Sequence, residues 1–447
     1  MTDRRGFIKG AAALAVTRFA SAQDASTLVV RNAAHVLTMD PKLGNLADAD
    51  VHIRDGRIIA IGKNLAAVSG QVIDAHGMIV MPGLIDTHTH MWNCLWRTLD
   101  TPYIYGHSNL GPQYRPEDSY NAVRLCAAEF LFGGITTVHA WEHNVRSPAH
   151  ADAELKALTD MGMRTHYSYG YYHHLPADQP MNLEDILRVR RQWQGETVTV
   201  GYASRPDTSD GSPQTQWPTA TPAVRKLEWD FARRERLPIT HHVTTPASKP
   251  EAYYEVAGPD VLLIHGYHWG LEVWQRLAKL GARVSLSPYS AANYRTPVPF
   301  RELDQAGMQA SLSFDHMNRT GNADFFRMLV LASNIEHLRT GTGLTAHRAL
   351  ELVTIDGARA LGLGDLTGSL TPGKRADLIM IRTDELNMTP TVSPERAVVN
   401  SARPENVDTV MVNGRVVKSR GTLIVADARR VGEDAARSLK AILQRAG

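Results

Sequence analysis

Two cysteines in 447 residues, Cys94 and Cys126, are too few for a disulfide framework or a thiolate zinc cluster. Charge of one sign is equally scarce. The 48 basic and 46 acidic residues leave a net charge of +2 with no like-charge block, which excludes a nucleic acid or other polyanion as partner. No segment past the N-terminus carries about 18 uncharged apolar residues, so no membrane span is expected. Internal repeats and low-complexity linkers are missing as well. What is plentiful is histidine. There are 19, several in pairs or two residues apart, and that pattern points to a metal. Hydrophobic residues at 43% and charged residues at 21% are ordinary globular values. At roughly 100–200 residues per domain, the length allows two to four domains, or one large barrel with appendages.

The first 22 residues read as an address. Asp3-Arg4-Arg5-Gly6-Phe7-Ile8-Lys9 resembles a twin-arginine export signal, followed by a weakly apolar stretch and the small residues Ala20-Ser21-Ala22 as a cleavage site. Arg18 interrupts the apolar run. The expected location is therefore outside the cytoplasm, in the periplasm. That route carries folded proteins and suits a chain that acquires its metal first.

Both ends of the mature chain are strand-rich. Thr27–Arg31, Asp50–Arg54 and Arg57–Ile61 are β-formers, the last two joined by Asp55-Gly56. Ala376–Ile381 and the hairpin Val407–Val412, Asn413-Gly414, Arg415–Val417 repeat this grammar near the C-terminus. One small β-sandwich built from 26–80 and 371–425 is expected, with a helix over 426–447. Between them, 81–370 alternates strands with helices. The strand candidates are Met78–Thr87, Ile135–Ala140, Arg164–Tyr169, Val198–Tyr202, Pro238–His242, Val261–His265, Ala282–Ser287 and Gln309–Phe314. Helical spacing marks Glu117–Phe132, Pro222–Glu235 and Glu272–Leu280. Eight strands over this length predict a (β/α)8 TIM barrel, an α/β fold. A doubly wound sheet is the alternative. Polar residues at the C-terminal ends of many separate strands favour the barrel.

Those strand ends carry ligand types. His88-Thr89-His90 follows the first strand, and residues two apart face the same way, so both imidazoles can meet one cation. His241-His242 ends the fifth strand, His265 the sixth and Asp315 the eighth. Imidazoles plus one carboxylate at four strand ends suit a borderline divalent ion such as Zn²⁺ with a position open for water. His139, Glu142 and His143 end the second strand and either line the pocket or cap the next helix. His166, His173 and His174, Tyr167, Tyr169, Tyr171 and Tyr172, and Trp92, Trp96, Tyr103 and Tyr105 are candidates for lining a pocket for a flat substrate, against ordinary loop packing. Cys126 falls in a helix and reads as core.

With Pro82-Gly-Leu-Ile-Asp-Thr-His-Thr-His90, the strand-end ligands and Gly368-Ser-Leu-Thr-Pro-Gly-Lys-Arg-Ala-Asp-Leu-Ile379, the chain resembles the amidohydrolase superfamily. It is most similar to the branch of cytosine deaminase, S-adenosylhomocysteine deaminase and the s-triazine hydrolases. The resemblance implies a barrel plus a β-sandwich, and a metal held by His88, His90, a fifth-strand histidine and Asp315. It makes His265 a further ligand or the group that polarises the substrate, and Asp315 also the acceptor of the attacking water's proton. For the fifth strand it implies His242, four residues after Pro238 and on the face of Thr240. Two departures stand out. The fourth strand, Val198–Ala203, has no lysine of the kind that is carbamylated in binuclear members, so one divalent ion is expected, zinc first, with iron or manganese as alternatives. The deaminases' glutamate three residues after the fifth-strand histidine is here Thr245, or Thr244 if His241 is the ligand. The expectation is a metal-dependent hydrolase of a non-peptide carbon–nitrogen bond in an amide, lactam or substituted heterocycle. An aminohydrolase or dechlorinase of a nitrogen heteroaromatic is the runner-up, and a ligand-binding barrel without turnover the rival of another class. The partner is a small molecule, and the oligomeric state is left open, a homo-oligomer included.

Overall fold

The computed structural model describes residues 27–99, 109–172, 174–205, 219–243 and 249–447. The export-type segment 1–22 lies outside them. From the N-terminus, β1 (Thr27–Leu37), β2 (Asn45–Arg54), β3 (Arg57–Gly62), β4 (Gln71–Asp74) and β5 (Met78–Pro82) build one half of a mixed sheet. Asp55 and Gly56 both take positive φ, 52° and 73°, and close the β2–β3 hairpin in the left-handed geometry that Asp-Gly favours. β1 bends at Asn32, φ 61°, where its register with β2 shifts. Before the bend it pairs with β4 and after it with β5, which turns the sheet toward a sandwich.

The Met78–Thr87 stretch, read in sequence as one strand, is two. β5 belongs to the terminal sheet, and a second strand, β6 (Leu84–Thr89), opens the barrel. Gly83 makes the crossing. A Cβ there would stand 2.1 Å from Thr136 Oγ1, so a side chain has no room. The barrel then runs through β7 (Ile135–Glu142), β8 (Arg164–Tyr169), β9 (Val198–Ser204), β10 (Ile239–Val243), β11 (Val261–His265), β12 (Arg283–Leu286) and β13 (Gln309–Leu312), all parallel and in sequence order. Closure between the last and first strands relies on Asp315 N donating to His88 O and His90 N to Asp315 O, both 2.9 Å. Buried Asp86 adds a staple, its two oxygens accepting from His88 N at 2.9 Å and Phe314 N at 3.0 Å. The architecture is thus an eight-stranded parallel barrel with a separate mixed sheet from both termini.

The outer helices α1 (Pro116–Phe132), α2 (Pro148–Asp160), α3 (Leu183–Trp193), α4 (Pro222–Arg234), α5 (Pro250–Tyr254), α6 (Leu271–Lys279) and α7 (Pro288–Asn293) follow successive strands. The terminal sheet is completed by β14 (Leu378–Arg382), β15 (Val407–Val412), β16 (Arg415–Ser419) and β17 (Thr422–Leu423). Asn413 and Gly414, φ 53° and 78°, form the second such hairpin turn. β5 and β14 sit mid-sheet and are buried on both faces. Ile79, Met81, Ile379 and Ile381 join the main core, while Val80, Leu378 and Met380 join the core of the terminal sheet. A buried ion pair, Arg164 Nε to Asp377 Oδ2 at 2.5 Å, ties the base of β8 to the Gly368–Ile379 stretch. The helix Ala428–Ala446 ends the chain, capped by Asp427, and packs on α1. No helix among the described residues is long and apolar enough to cross a membrane.

Candidate metal centre

At the C-terminal mouth of the barrel, ligand atoms of His88, His242, His265 and Asp315 lie within 4.8 Å of one another, all buried. His242 Nε2 is 3.2 Å from His88 Nε2, which is 3.3 Å from Asp315 Oδ1; His265 Nε2 is 3.7 Å from Asp315 Oδ2. Ligands about 2.1 Å from a tetrahedral ion are spaced about 3.4 Å apart, so these separations match the edges of a coordination shell. Two further observations fit a cation. Asp315 Oδ1 and His90 Nε2 are buried with no hydrogen-bond partner, an arrangement that is costly unless something charged lies between them. The imidazoles are also held neutral. Burial first, then their mutual proximity, pushes His88 and His242 well below the usual histidine value, and burial lowers His265 to about 4. Neutral rings present lone pairs, the state a metal needs. Burial alone would raise the Asp315 carboxyl, but His316 and His265, then His88 and His90, outweigh it and hold it well below the carboxylate range.

Tautomers follow from the outer nitrogens. His90 Nδ1 lies 2.9 Å from Trp141 O, which only accepts, so the lone pair is on Nε2. His265 Nδ1 is 2.8 Å from the Tyr267 hydroxyl, whose own hydrogen goes to Ser287 O at 3.0 Å. The Tyr267 oxygen therefore accepts from Nδ1, and His265 Nε2 also carries a lone pair. His265 and Asp315 both have positive φ, 76° and 64°, a backbone state that is uncommon outside glycine and clusters at functional sites. Asp315 Oδ2 accepts a hydrogen bond from Ser290 Oγ on α7.

The remaining candidates separate by strand alternation. His241 faces outward against Trp229 and Tyr253, with burial lowering it to about 3, while His242 faces in. His90 falls outside the four-residue group and lies with Asp315 and His316 instead. His139 sits below the group, its ring nitrogens 2.7 Å from Thr87 O and 2.8 Å from Ser168 Oγ, a structural position. Glu142 turns toward the helix layer, near Glu154, and binds Met91 N; burial raises it well above the carboxylate range. His143 faces the site, its ring 4.2 Å from that of His90. Tyr167 and Tyr169 do not line the mouth, because their hydroxyls bond Glu154 and Asp185 of the outer helices. Tyr171 lies beside Trp141 and His143, and Trp92 packs on His143 and Tyr114. His174 is exposed, and His166 is buried inside the barrel beside His139. Cys94 and Cys126 are buried and free. Tyr103, Tyr105, His173, Thr244 and Thr245 lie outside the described residues.

Sequence reasoning missed Trp141, whose indole stands 4.4 Å from the His242 ring. It also missed Ser290, Tyr267, Asn93 and His316. The signal for His316 was its place beside Asp315, and for Trp141 its place two residues after His139 on an inward face.

The eight parallel strands and their terminal ligands define a metal-dependent hydrolase of the barrel type. The amidohydrolase family's sequence profile matches residues 79–417, and the chain belongs to that family. It is 28% identical to 5'-deoxyadenosine deaminase of Methanosarcina acetivorans, over 94% of this chain and 99% of that one. It is likewise 28% identical to 5-methylthioadenosine/S-adenosylhomocysteine deaminase of Pelotomaculum thermopropionicum, over 90% and 96%. Among solved structures, a triazine hydrolase variant superposes with TM-score 0.83 at 21% identity, covering 93% of this chain and 99% of that one. An adenosine deaminase from Xanthomonas campestris with bound zinc gives 0.80 at 19%, covering 94% and 99%. The chain is therefore an enzyme that hydrolyses a non-peptide carbon–nitrogen bond with a divalent metal.

Proposed function

We propose that the substrate is an amide or lactam, a nitrogen heterocycle carrying such a carbon included, and that one tightly held zinc ion sits among His88, His242, His265 and Asp315. The observation that carries this reading is that Asp315 is the one carboxylate in the group among the described residues, with Glu142 turned away from it. An ion bound there supplies Lewis acidity and brings water toward ionisation at neutral pH. Asp315 is the proton acceptor: Ser290 holds Oδ2, while Oδ1 has no donor and is available. His265, with its Nδ1 hydrogen committed to Tyr267, serves as a ligand rather than as a donor to the substrate oxygen. The inward side of β9 supports a single ion. Gly201 faces in against His166, and the strand has no lysine. A second full positive charge pair would also share one carboxylate, which burial penalises. Trp92, Trp141, Tyr114 and Tyr171 suit a flat substrate.

Attack on an aromatic ring carbon instead leaves charge on a ring nitrogen that must be protonated. The hydroxyl of Thr245 has too high a pKa for that at neutral pH. An amide places the charge on oxygen, where the site's electrostatics can hold it. The second reading, hydrolysis of an amino or chloro substituent from a nitrogen heteroaromatic, is favoured by what the relatives are named for. In it His143 is the donor, since Trp92 Nε1–H reaches His143 Nδ1 at 3.2 Å and leaves the ring proton on Nε2. A panel of amides, lactams, ureas and aminoheterocycles separates the two. We expect hydrolysis of an amide or lactam and negligible ammonia from 5'-deoxyadenosine, adenosine, guanine or cytosine. Efficient ammonia release would establish the second reading in place of the first. We also propose periplasmic export through Arg4-Arg5; replacing both with lysine should retain the protein in the cytoplasm, and unchanged export would refute it.

A further inference from the structure

We propose that Trp141 is a catalytic residue whose indole N–H donates to the oxygen of the substrate amide as that oxygen gains negative charge. This role rests on the amide or lactam reading of the same site, in which the developing charge sits on oxygen. Trp141 stands one residue before the end of β7, on the inward face with His139, while Glu142 turns out to bind Met91 N. Its side chain is fully buried. The indole centroid lies 4.4 Å from the His242 ring, 5.1 Å from His90 and 5.9 Å from His88, with ring planes 75–87° apart. His143 and Tyr171 follow at 5.4 and 5.7 Å. The indole therefore adjoins both the ligand histidines and the aromatic wall suited to a flat substrate.

Among the described residues, Trp141 Nε1 is buried with no acceptor. An indole N–H can only donate, and a buried donor left unpaired is costly, so a buried tryptophan normally reaches a partner. If packing on the histidines were its whole task, phenylalanine would serve without a donor to satisfy. Hydrogens on the neighbouring groups are already committed. His90 Nδ1–H goes to Trp141 O, His265 Nδ1–H to the Tyr267 oxygen, the Tyr267 hydroxyl to Ser287 O and Ser290 Oγ–H to Asp315 Oδ2. The Trp141 N–H is not committed. A donor aimed at an oxygen that becomes charged, and fixed in place beforehand, stabilises the transition state without reorganising. The rings packed around Trp141 fix its indole in this way. The hydrogen stays on nitrogen throughout, since the indole acts as a donor and not as an acid.

The test is Trp141→Phe in the full-length, zinc-loaded protein, assayed on whichever amide or lactam of the panel wild type hydrolyses, with zinc content measured in parallel. Losing one such donor should lower kcat by ~10²–10³-fold, with KM changed far less and zinc content unchanged. Benzothienylalanine introduced at the same position puts sulfur in place of the N–H and keeps the bicyclic shape. It should lower kcat as much, and it decides the matter should Trp141→Phe fold poorly. A benzothienyl protein with near-wild-type kcat overturns this role whatever Trp141→Phe does, because shape alone would then suffice, and it leaves the amide reading standing. Zinc loss that accounts for the lost activity in both proteins also overturns it and makes Trp141 a support for His90 and His242. A wild type that hydrolyses aminoheterocycles but no amide or lactam overturns the amide reading and this role with it.

Discussion

Replacing Asp315 with asparagine tests the centre most directly, because the change keeps shape and removes charge. In the structure Oδ2 accepts from Ser290 Oγ, and Oδ1 faces the Nε2 atoms of His88, His90 and His316 at 3.2–3.5 Å without an aligned donor. The asparagine oxygen can keep the Ser290 bond. Its amide group then occupies the Oδ1 position, where it donates to the imidazoles and accepts no proton. General-base action is worth ~10²–10⁴-fold, and each tenfold loss is about 1.36 kcal/mol. Asp315→Asn should therefore lower kcat by at least ~10²-fold, or about 2.7 kcal/mol, with KM far less affected. The group also loses its only carboxylate, so zinc affinity should fall. The assay is kcat on whichever panel compound wild type hydrolyses, at saturating zinc, with zinc content measured in parallel. A fully loaded Asp315→Asn enzyme with near-wild-type kcat would refute the reasoning, because the proton would then be going elsewhere. Ser290→Ala, which frees Oδ2 and leaves the base in place, should cost less than Asp315→Asn; a larger loss would make Ser290 itself the acting group.

Other outcomes follow from the same geometry. His242→Ala should lose zinc while His241→Ala retains it, since the two face opposite sides of β10; elemental analysis of both proteins decides, and the reverse result would mean a register shifted by one. Chelation should abolish turnover and re-addition of about one equivalent of zinc restore it; activity that survives complete removal of metal would exclude the metal reading. Glu154 is buried, with burial raising its carboxyl to about 8 despite the Tyr167 hydrogen bond. The folded state thus keeps a proton that the unfolded state gives up near the ordinary value of 4.5, so this residue's contribution to stability is present at low pH and lost as pH rises toward about 8. Glu154→Gln should flatten the decline of Tm between those limits, and an unchanged Tm-against-pH curve would show that Glu154 ionises freely. Gly83→Ala should destabilise the fold, because its Cβ meets Thr136 Oγ1 at 2.1 Å; a Tm equal to wild type would show that the strand crossing relaxes.

Much of the fold was legible in local chemistry. Period-two apolar runs, Asp55-Gly56 and Asn413-Gly414 turns and alternating helices are encoded over a few residues, and the structure realises most of them with ends moved by a residue or two, although β1 runs on to Leu37 and β2 begins at Asn45. A larger exception is Met78–Thr87, where a strand-like run read through Pro82-Gly83 hid a change of sheet. Only the approach of Thr136, 53 positions away, makes Gly83 the break. The candidate ligands were legible for the same local reason: each stands where a strand runs out, and strand alternation lets only one of His241 and His242 face in, with the family resemblance pointing to His242.

What the tertiary structure alone decided is which of these residues meet. His88 and Asp315 are 227 positions apart and touch because the last strand closes on the first. The split that puts His90 with His316 rather than with His242 comes from that closure, and no spacing in the chain records it. The tautomer of His265 is set through Tyr267 by Ser287, which stands between the neighbouring strand β12 and α7. The outward turn of Tyr167 and Tyr169 is set by Glu154 and Asp185 on the neighbouring helices, and Glu142 is held by Met91 N. Residue type and strand period are properties of a few adjacent residues, so the sequence alone determined them. Convergence, protonation and facing depend on contacts between distant segments, and these exist only once the barrel is closed.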